Sequence, residues 1–293
     1  DVRPIIMDLA EYSNIRRVVN QVQPDEVYNL AAPSSSATSF DQPIYTADII
    51  GTSAARLLEI LRDVQPAARF YQASTSEMFG MVRQSPQNES TPFHPRSPYG
   101  VAKLYAHWIA INYRETYGIH ASTGIMFNHE SPLRGIEFVT RKITASLAEI
   151  RLGRRSTLLL GNLNARRDWG FAGDFVRGMW QILQHSTPDD FVLATGITHT
   201  VRQFVQWAAE AAGFTLRWEG QGDQERGIEI TSGKEVVRVD PGFYRPAEVD
   251  LLIGETSKAR DVLGWMPSLS VQDLATQMVE SDLRHATQGP ILV

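Results

Sequence analysis

Tyr99 and Lys103 stand four residues apart in Ser97-Pro-Tyr-Gly-Val-Ala-Lys103, and Glu77 closes the run Ala73-Ser-Thr-Ser-Glu77. At helical spacing Tyr99 and Lys103 share a face. An ammonium beside a phenol stabilises the phenolate, so the pair offers a base. Glu77 adds a carboxylate that can take or give a proton. Ser74, Thr75 and Ser76 follow the short apolar run Phe70-Tyr-Gln-Ala73. Small hydroxyl residues are poor core material. At the carboxyl edge of a parallel sheet, where ligands bind in such folds, they are good donors and acceptors. A bare Tyr-x-x-x-Lys is more often a surface pair; the hydroxyl run and the acid are what point to a site.

The elements around these residues set where they can act. Pro98 suits a first helical turn, where no intrahelical N–H is needed, and 98–117 reads as helix with Leu104 and Trp108 on one face. Short apolar runs alternate with helical patterns through the first half. That pattern predicts an α/β fold, a Rossmann-type doubly wound parallel sheet, with a smaller C-terminal α/β domain. Strands are expected over 4–7, 26–30, 70–74 and 121–127, and helices over 13–21 and 52–64, the latter with Leu57, Leu58 and Leu61 inward. Further on, helices are expected over 138–152, 171–184, 201–212 and 274–285, and strands over 156–160 and 191–195. Residues 220–234 read as a polar insertion or hairpin. Trp169 and Trp180 read as core. Arg151, Arg154 and Arg155 read as a solvated helix end.

A dinucleotide fold opens with strand, glycine turn and helix, the turn carrying the phosphate-binding glycines. No such motif is present. Gly220-Gln-Gly222 comes nearest, but Glu225 takes the third glycine's place and no strand-turn-helix surrounds it. The chain therefore reads as starting after the first βαβ unit.

The 293 residues, 43% of them hydrophobic, are ample for one large domain or two smaller ones. With 28 basic and 33 acidic residues the formal charge is -5, which argues against nucleic acid as a partner. A few arginines could still hold a pyrophosphate. No cysteine is present, so thiolate metal sites and disulfides are excluded, which suits a cytoplasmic protein with no metal. No apolar run approaches the roughly 20 residues of a membrane span. Asn88-Glu-Ser90 matches a glycosylation sequon and reads as a plain surface loop.

Longer stretches carry a resemblance. They are Val27-Tyr-Asn-Leu-Ala-Ala32, Phe70-Tyr-Gln-Ala-Ser-Thr-Ser-Glu77, Pro92-Phe-His-Pro-Arg-Ser-Pro-Tyr99, Phe127-Asn-His-Glu-Ser-Pro132, Phe138-Val-Thr-Arg-Lys-Ile143, Arg167-Asp-Trp-Gly170 and Tyr244-Arg-Pro-Ala-Glu-Val249. In these the chain resembles the GDP-mannose 4,6-dehydratase family of the extended short-chain dehydrogenase/reductase superfamily. The resemblance implies an NADP-dependent hydro-lyase acting on GDP-mannose. In that reaction the sugar 4-hydroxyl is oxidised, the C5 proton becomes acidic, water leaves from C6, and C6 is reduced in return.

The resemblance also implies residue roles. Thr75, Glu77, Tyr99 and Lys103 would be catalytic. Asp8 and Leu9 would border the adenine, and Leu30, Ala31, Ala32 and Ser34 the ribose and pyrophosphate, with Tyr45 below. Ser74, Tyr99, Lys103, His129 and Arg134 would lie on the nicotinamide side. Ser76, Asn128, Val139, Lys142, Arg167, Arg245 and Glu248 would hold the sugar nucleotide. Residues 1–130 would then be the NADP-binding domain, incomplete at its start. Residues 131–293 would mainly bind nucleotide sugar, with segments returning to the first domain. A homodimer or homotetramer is implied. Pro33, Ser35 and Met7 depart from the family pattern. Two alternatives remain: another nucleotide-sugar dehydratase, reductase or epimerase of the superfamily, or a non-catalytic cofactor-binding protein.

Overall fold

Ser97 caps the longest helix, Pro98–Tyr117, by accepting from the Gly100 N–H at 3.1 Å. Pro98 occupies the first turn, and Gly118 ends the helix at φ 69° in the left-handed region that favours glycine. This helix covers a four-stranded parallel sheet in the computed structural model, which describes residues 2–34, 36–244 and 251–288. The sheet order is Glu26–Asn29, Arg69–Thr75, Ala121–Met126, Asp190–Leu193. Ala121–Met126 is buried throughout, as a strand covered on both faces must be.

The chain divides into two units. The first comprises residues 1–127, 176–194 and 254–266. Its core joins Ile15 and Val19 of the helix Tyr12–Val22 to Leu57, Leu58 and Leu61 of Ser53–Val64 and to Phe70 and Ala121 of the sheet. The expected strand over 4–7 is not formed. Those residues are exposed and pair with no described strand, and an extended segment needs a neighbour to take up its backbone N–H and C=O groups.

The second unit comprises residues 128–175, 195–253 and 267–293. Its four-stranded sheet runs Leu216–Glu219, Arg226–Glu229, Glu235–Val239, Leu158–Leu160. The stretch read as an insertion or hairpin thus supplies one strand and the turn to the next, with Gly233 at φ 68°. The helices Val139–Arg151, Val201–Ala211 and Val271–Gln288 pack together around Leu147, Phe204, Leu274 and Met278. Thr200 and Gln203 form a reciprocal capping box at the start of Val201–Ala211.

Trp169 is buried as expected, on the strand Trp169–Phe171. Trp180 is not core: on the helix Ala172–Gln184 it is 55% exposed, because it falls on the side opposite buried Met179, Ile182 and Leu183.

Candidate active site

All four strands of the first sheet are parallel, so their carboxyl ends at Asn29, Thr75, Met126 and Leu193 lie along one edge. At that edge the chain turns through Ser76–Met78, where Thr75 Oγ1 accepts from the Glu77 N–H at 3.3 Å. His94 then clamps the turn from both sides, donating to the Met78 carbonyl and accepting from the Met81 N–H, each at 3.0 Å. Gly80, at φ 52°, is needed there, because a Cβ would collide with the His94 carbonyl.

The start of the Tyr99 helix abuts this turn. A Cβ on Gly100 would stand 2.9 Å from the Glu77 carbonyl oxygen. The Tyr99 N–H donates to Ser39 Oγ at 3.2 Å, and that hydroxyl donates to the Ser36 carbonyl at 2.6 Å. Tyr99 packs against the buried cluster of Ile50, Ala54, Ala102 and Ala106. Lys103 is buried and donates to the Ala73 carbonyl at 2.8 Å, with its nitrogen 5.9 Å from the centre of the Tyr99 ring. Burial pushes the Lys103 ammonium down to about 8. The structure therefore brings Thr75, Glu77, Tyr99 and Lys103 to one sheet edge, with Thr75, Glu77 and Tyr99 half-buried and Ser76 buried between.

Leu30, Ala31, Ser34 and Tyr45 are exposed, and Leu30 to Ser34 leave the same edge directly after Asn29. Asp8 is exposed and turned onto its own chain, its carboxylate accepting from the Ala10 N–H at 2.9 Å. The Leu9 carbonyl accepts from Arg56 at 3.2 Å. The Ser74 hydroxyl pairs with His107 Nδ1 at 3.0 Å, buried. Lys103 meets one acceptor among the described residues, which leaves two of its three N–H donors for a ligand. Two donors and a run of exposed and half-buried residues fit the hydroxyls and linker of a dinucleotide.

The second unit carries the remaining residues. Asn128–Glu130 pairs with Trp169–Phe171, and the His129 ring stacks on Phe175 at 5.0 Å. Arg134 lies 3.5 Å over the Phe138 ring and 3.3 Å from the buried Glu130 carboxylate, which also accepts from Thr140 at 2.5 Å. Burial raises the Glu130 carboxyl above its usual range, with Arg134 opposing. Val139 opens the helix Val139–Arg151. Lys142 sits 3.4 Å over the Phe243 ring, and its ammonium is lowered by burial first and by Arg155 second. Arg167 donates to the Arg166 carbonyl at 2.7 Å. Arg245, Glu248 and Ser35 lie outside the described residues.

Sequence reasoning missed several residues. Ser39 holds the Tyr99 N–H across 60 residues of chain, a separation with no local signal. His107 lies two turns beyond Tyr99, and that spacing could have found it. Asp168, completely buried, accepts from the Thr195 N–H, the Thr195 hydroxyl and the Gly196 N–H at 2.6–2.9 Å. It sits between Arg167 and Trp169 in a motif whose arginine drew the attention. Among the described residues no group of three His, Asp or Glu could hold a metal ion, and no helix is long and apolar enough to cross a membrane.

A family model for GDP-mannose 4,6 dehydratase matches residues 2–278. A GDP-mannose 4,6-dehydratase of Sinorhizobium fredii is 56% identical over 280 residues, covering 95% of this chain and 80% of that protein. The Homo sapiens GDP-mannose 4,6 dehydratase is 47% identical, covering 97% of this chain and 77% of that protein. Among solved structures, RMD from Pseudomonas aeruginosa complexed with NADPH superposes at a TM-score of 0.83 with 21% identity, over 96% of this chain and 89% of that one. DesIV, a dTDP-glucose 4,6-dehydratase from Streptomyces venezuelae with NAD and TYD bound, gives a TM-score of 0.78 with 21% identity, over 96% of this chain and 78% of that one.

Proposed function

The chain belongs to the GDP-mannose 4,6-dehydratase family of hydro-lyases, and from that premise we propose how its own residues divide the dehydration of GDP-mannose to GDP-4-keto-6-deoxymannose. The observation that carries the reading is the shared sheet edge. Buried Lys103, Tyr99 one helical turn before it and Glu77 on the adjoining turn all belong to that edge of the chain. Tyr99 takes the proton of the 4-hydroxyl, and Lys103 stabilises the phenolate that does so. Thr75 donates a hydrogen bond to the 4-oxygen. Glu77 takes the C5 proton and returns a proton to the C6 hydroxyl, which leaves as water. A carboxylate two residues beyond the threonine is what an epimerase or reductase of the same fold has no use for.

A nicotinamide dinucleotide, when bound, supplies reversible redox at C4 and C6. The NADPH and NAD of the two solved neighbours support that class, and the family resemblance favours NADP. Lys103 would donate to its ribose, Leu30 to Ser34 would run beneath it with Asp8, Leu9 and Tyr45, and His129 and Arg134 would border it. Ser76, Asn128, Val139, Lys142 and Arg167 would hold the sugar nucleotide, with Arg245 and Glu248 from the sequence. Arginine suits a pyrophosphate because its fork bonds two oxygens. A homodimer or homotetramer belongs to the same reading. Val101, Tyr105 and Trp108, exposed on one stripe of the Tyr99 helix, support it. A cytoplasmic location also belongs to this reading, and the absence of cysteine suits it.

Glu77→Gln tests the division of labour. With NADP and GDP-mannose it is expected to form no 4-keto-6-deoxy product while still reducing a fraction of the nicotinamide. Product at the wild-type rate would remove Glu77 from its role. No product from the wild type would remove the activity itself.

A further inference from the structure

We propose that His107 is a positioning residue for the Tyr99–Lys103 base, acting through Ser74; this rests on the reading above. Lys103 and His107 are one helical turn apart and face the same way. They grip successive residues of one strand end, Lys103 the Ala73 carbonyl at 2.8 Å and His107 the Ser74 hydroxyl at 3.0 Å. The next residue along is Thr75. Two ties therefore fix the strand end against the helix, immediately before the hydroxyl meant for the 4-oxygen.

The His107 tie is rigid. Both partners are 3% exposed, and the imidazole stands edge-on to Phe93 at 5.3 Å and to Trp108 at 5.8 Å. The charged groups near it are Arg114 and Asp190, themselves paired at 2.7 Å. Burial pushes the imidazole down to about 4, with Asp190 opposing and Arg114 adding to the shift. The ring is thus neutral across the working range, and the tie does not loosen there. Lys103, from its own helix, faces the Tyr99 ring, and the Glu77 backbone carbonyl abuts the next residue, Gly100.

A buried hydroxyl that loses its partner must find another or pull its backbone toward one. If His107 is replaced by phenylalanine, the aromatic stack survives but Ser74 is orphaned. The strand end then shifts, the Ala73 carbonyl moves, and Lys103 moves with it. Tyr99 loses part of the nearby positive charge and its phenol rises toward its ordinary value.

The test titrates Tyr99 by phenolate absorbance in the NADP-loaded protein, as the difference between each protein and its own Tyr99→Phe counterpart. His107→Phe is expected to raise the midpoint by about one pH unit, and to lower kcat about tenfold with KM within about twofold. His107→Gln, whose amide can reach Ser74, is expected to restore most of both. Ser74→Ala should reproduce His107→Phe, and combining the two should add nothing. An unmoved Tyr99 midpoint in His107→Phe and Ser74→Ala, with only the thermal midpoint lowered, would make His107 structural and overturn the proposal. The absorbance readout needs no sugar substrate. Turnover of GDP-mannose by the wild type, measured alongside, separates a failure of this inference from a failure of the functional reading.

Discussion

Lys103 of the first unit is held by burial against backbone, whereas Lys142 and Arg134 of the second lie on aromatic rings. Lys103 is closed in the interior with its nitrogen on the Ala73 carbonyl. Lys142 and Arg134 rest on Phe243 and Phe138 at 3.4 and 3.5 Å. A buried amine on a carbonyl has one geometry and a perturbed acidity, which suits proton transfer. A cation over a ring keeps some freedom to adjust, which suits holding a phosphate. The two constructions show that burial and a ring face hold a lysine in different ways.

If the first unit does the chemistry, its variants should change kcat and those of the second unit KM. Tyr99→Phe should give the largest effect, a kcat loss of about 10²–10⁴-fold with KM little changed, in steady-state assays. Lys142→Met should follow. Losing a charged hydrogen bond worth about 1.5–3 kcal/mol should raise KM for GDP-mannose roughly 10–100-fold at nearly constant kcat. A kcat loss from Lys142→Met equal to that of Tyr99→Phe would dissolve the distinction. Phe243→Ala should be milder, with KM changed by about 0.5–1 kcal/mol, since a partly exposed cation–ring contact is all it removes.

Acidity offers a further break point. Lys103 is lowered from an ordinary 10.5 to about 8 by burial. Between those values the unfolded chain binds a proton that the folded chain has released, so folding stability rises with pH there. Below pH 8 the penalty of burying the ammonium is fully present. Urea midpoints should therefore show the wild type gaining on Lys103→Met as pH rises from 8 to 10.5. Lys142→Met, paired with its own wild-type control, should show a smaller gain, because Lys142 is only partly buried.

The two regions also differed in how far the sequence made them legible. The helix read over 98–117 is the helix found, because Ser97, Pro98 and Gly118 mark both ends with local chemistry. Tyr99, Lys103 and Glu77 follow from spacing within that helix and one adjoining strand. Residues 4–7 looked like a strand because apolar content alone does not reveal whether a pairing partner exists. Trp180 looked like core because a tryptophan's size says nothing about its side of the helix. In the second unit the helices Val139–Arg151, Val201–Ala211 and Val271–Gln288 were legible from periodicity, but the meetings of distant side chains were not. Lys142 meets Phe243 across about a hundred residues, and Asp168 meets Thr195 and Gly196 across 27 and 28 residues, so no short pattern announces either.

GDP-mannose deuterated at C4, turned over by the wild type in ordinary water, tests the central claim most directly. The account predicts a 4-keto-6-deoxy product with the deuterium on C6. Deuterium lost to solvent, or a product that keeps its C6 hydroxyl, would contradict it.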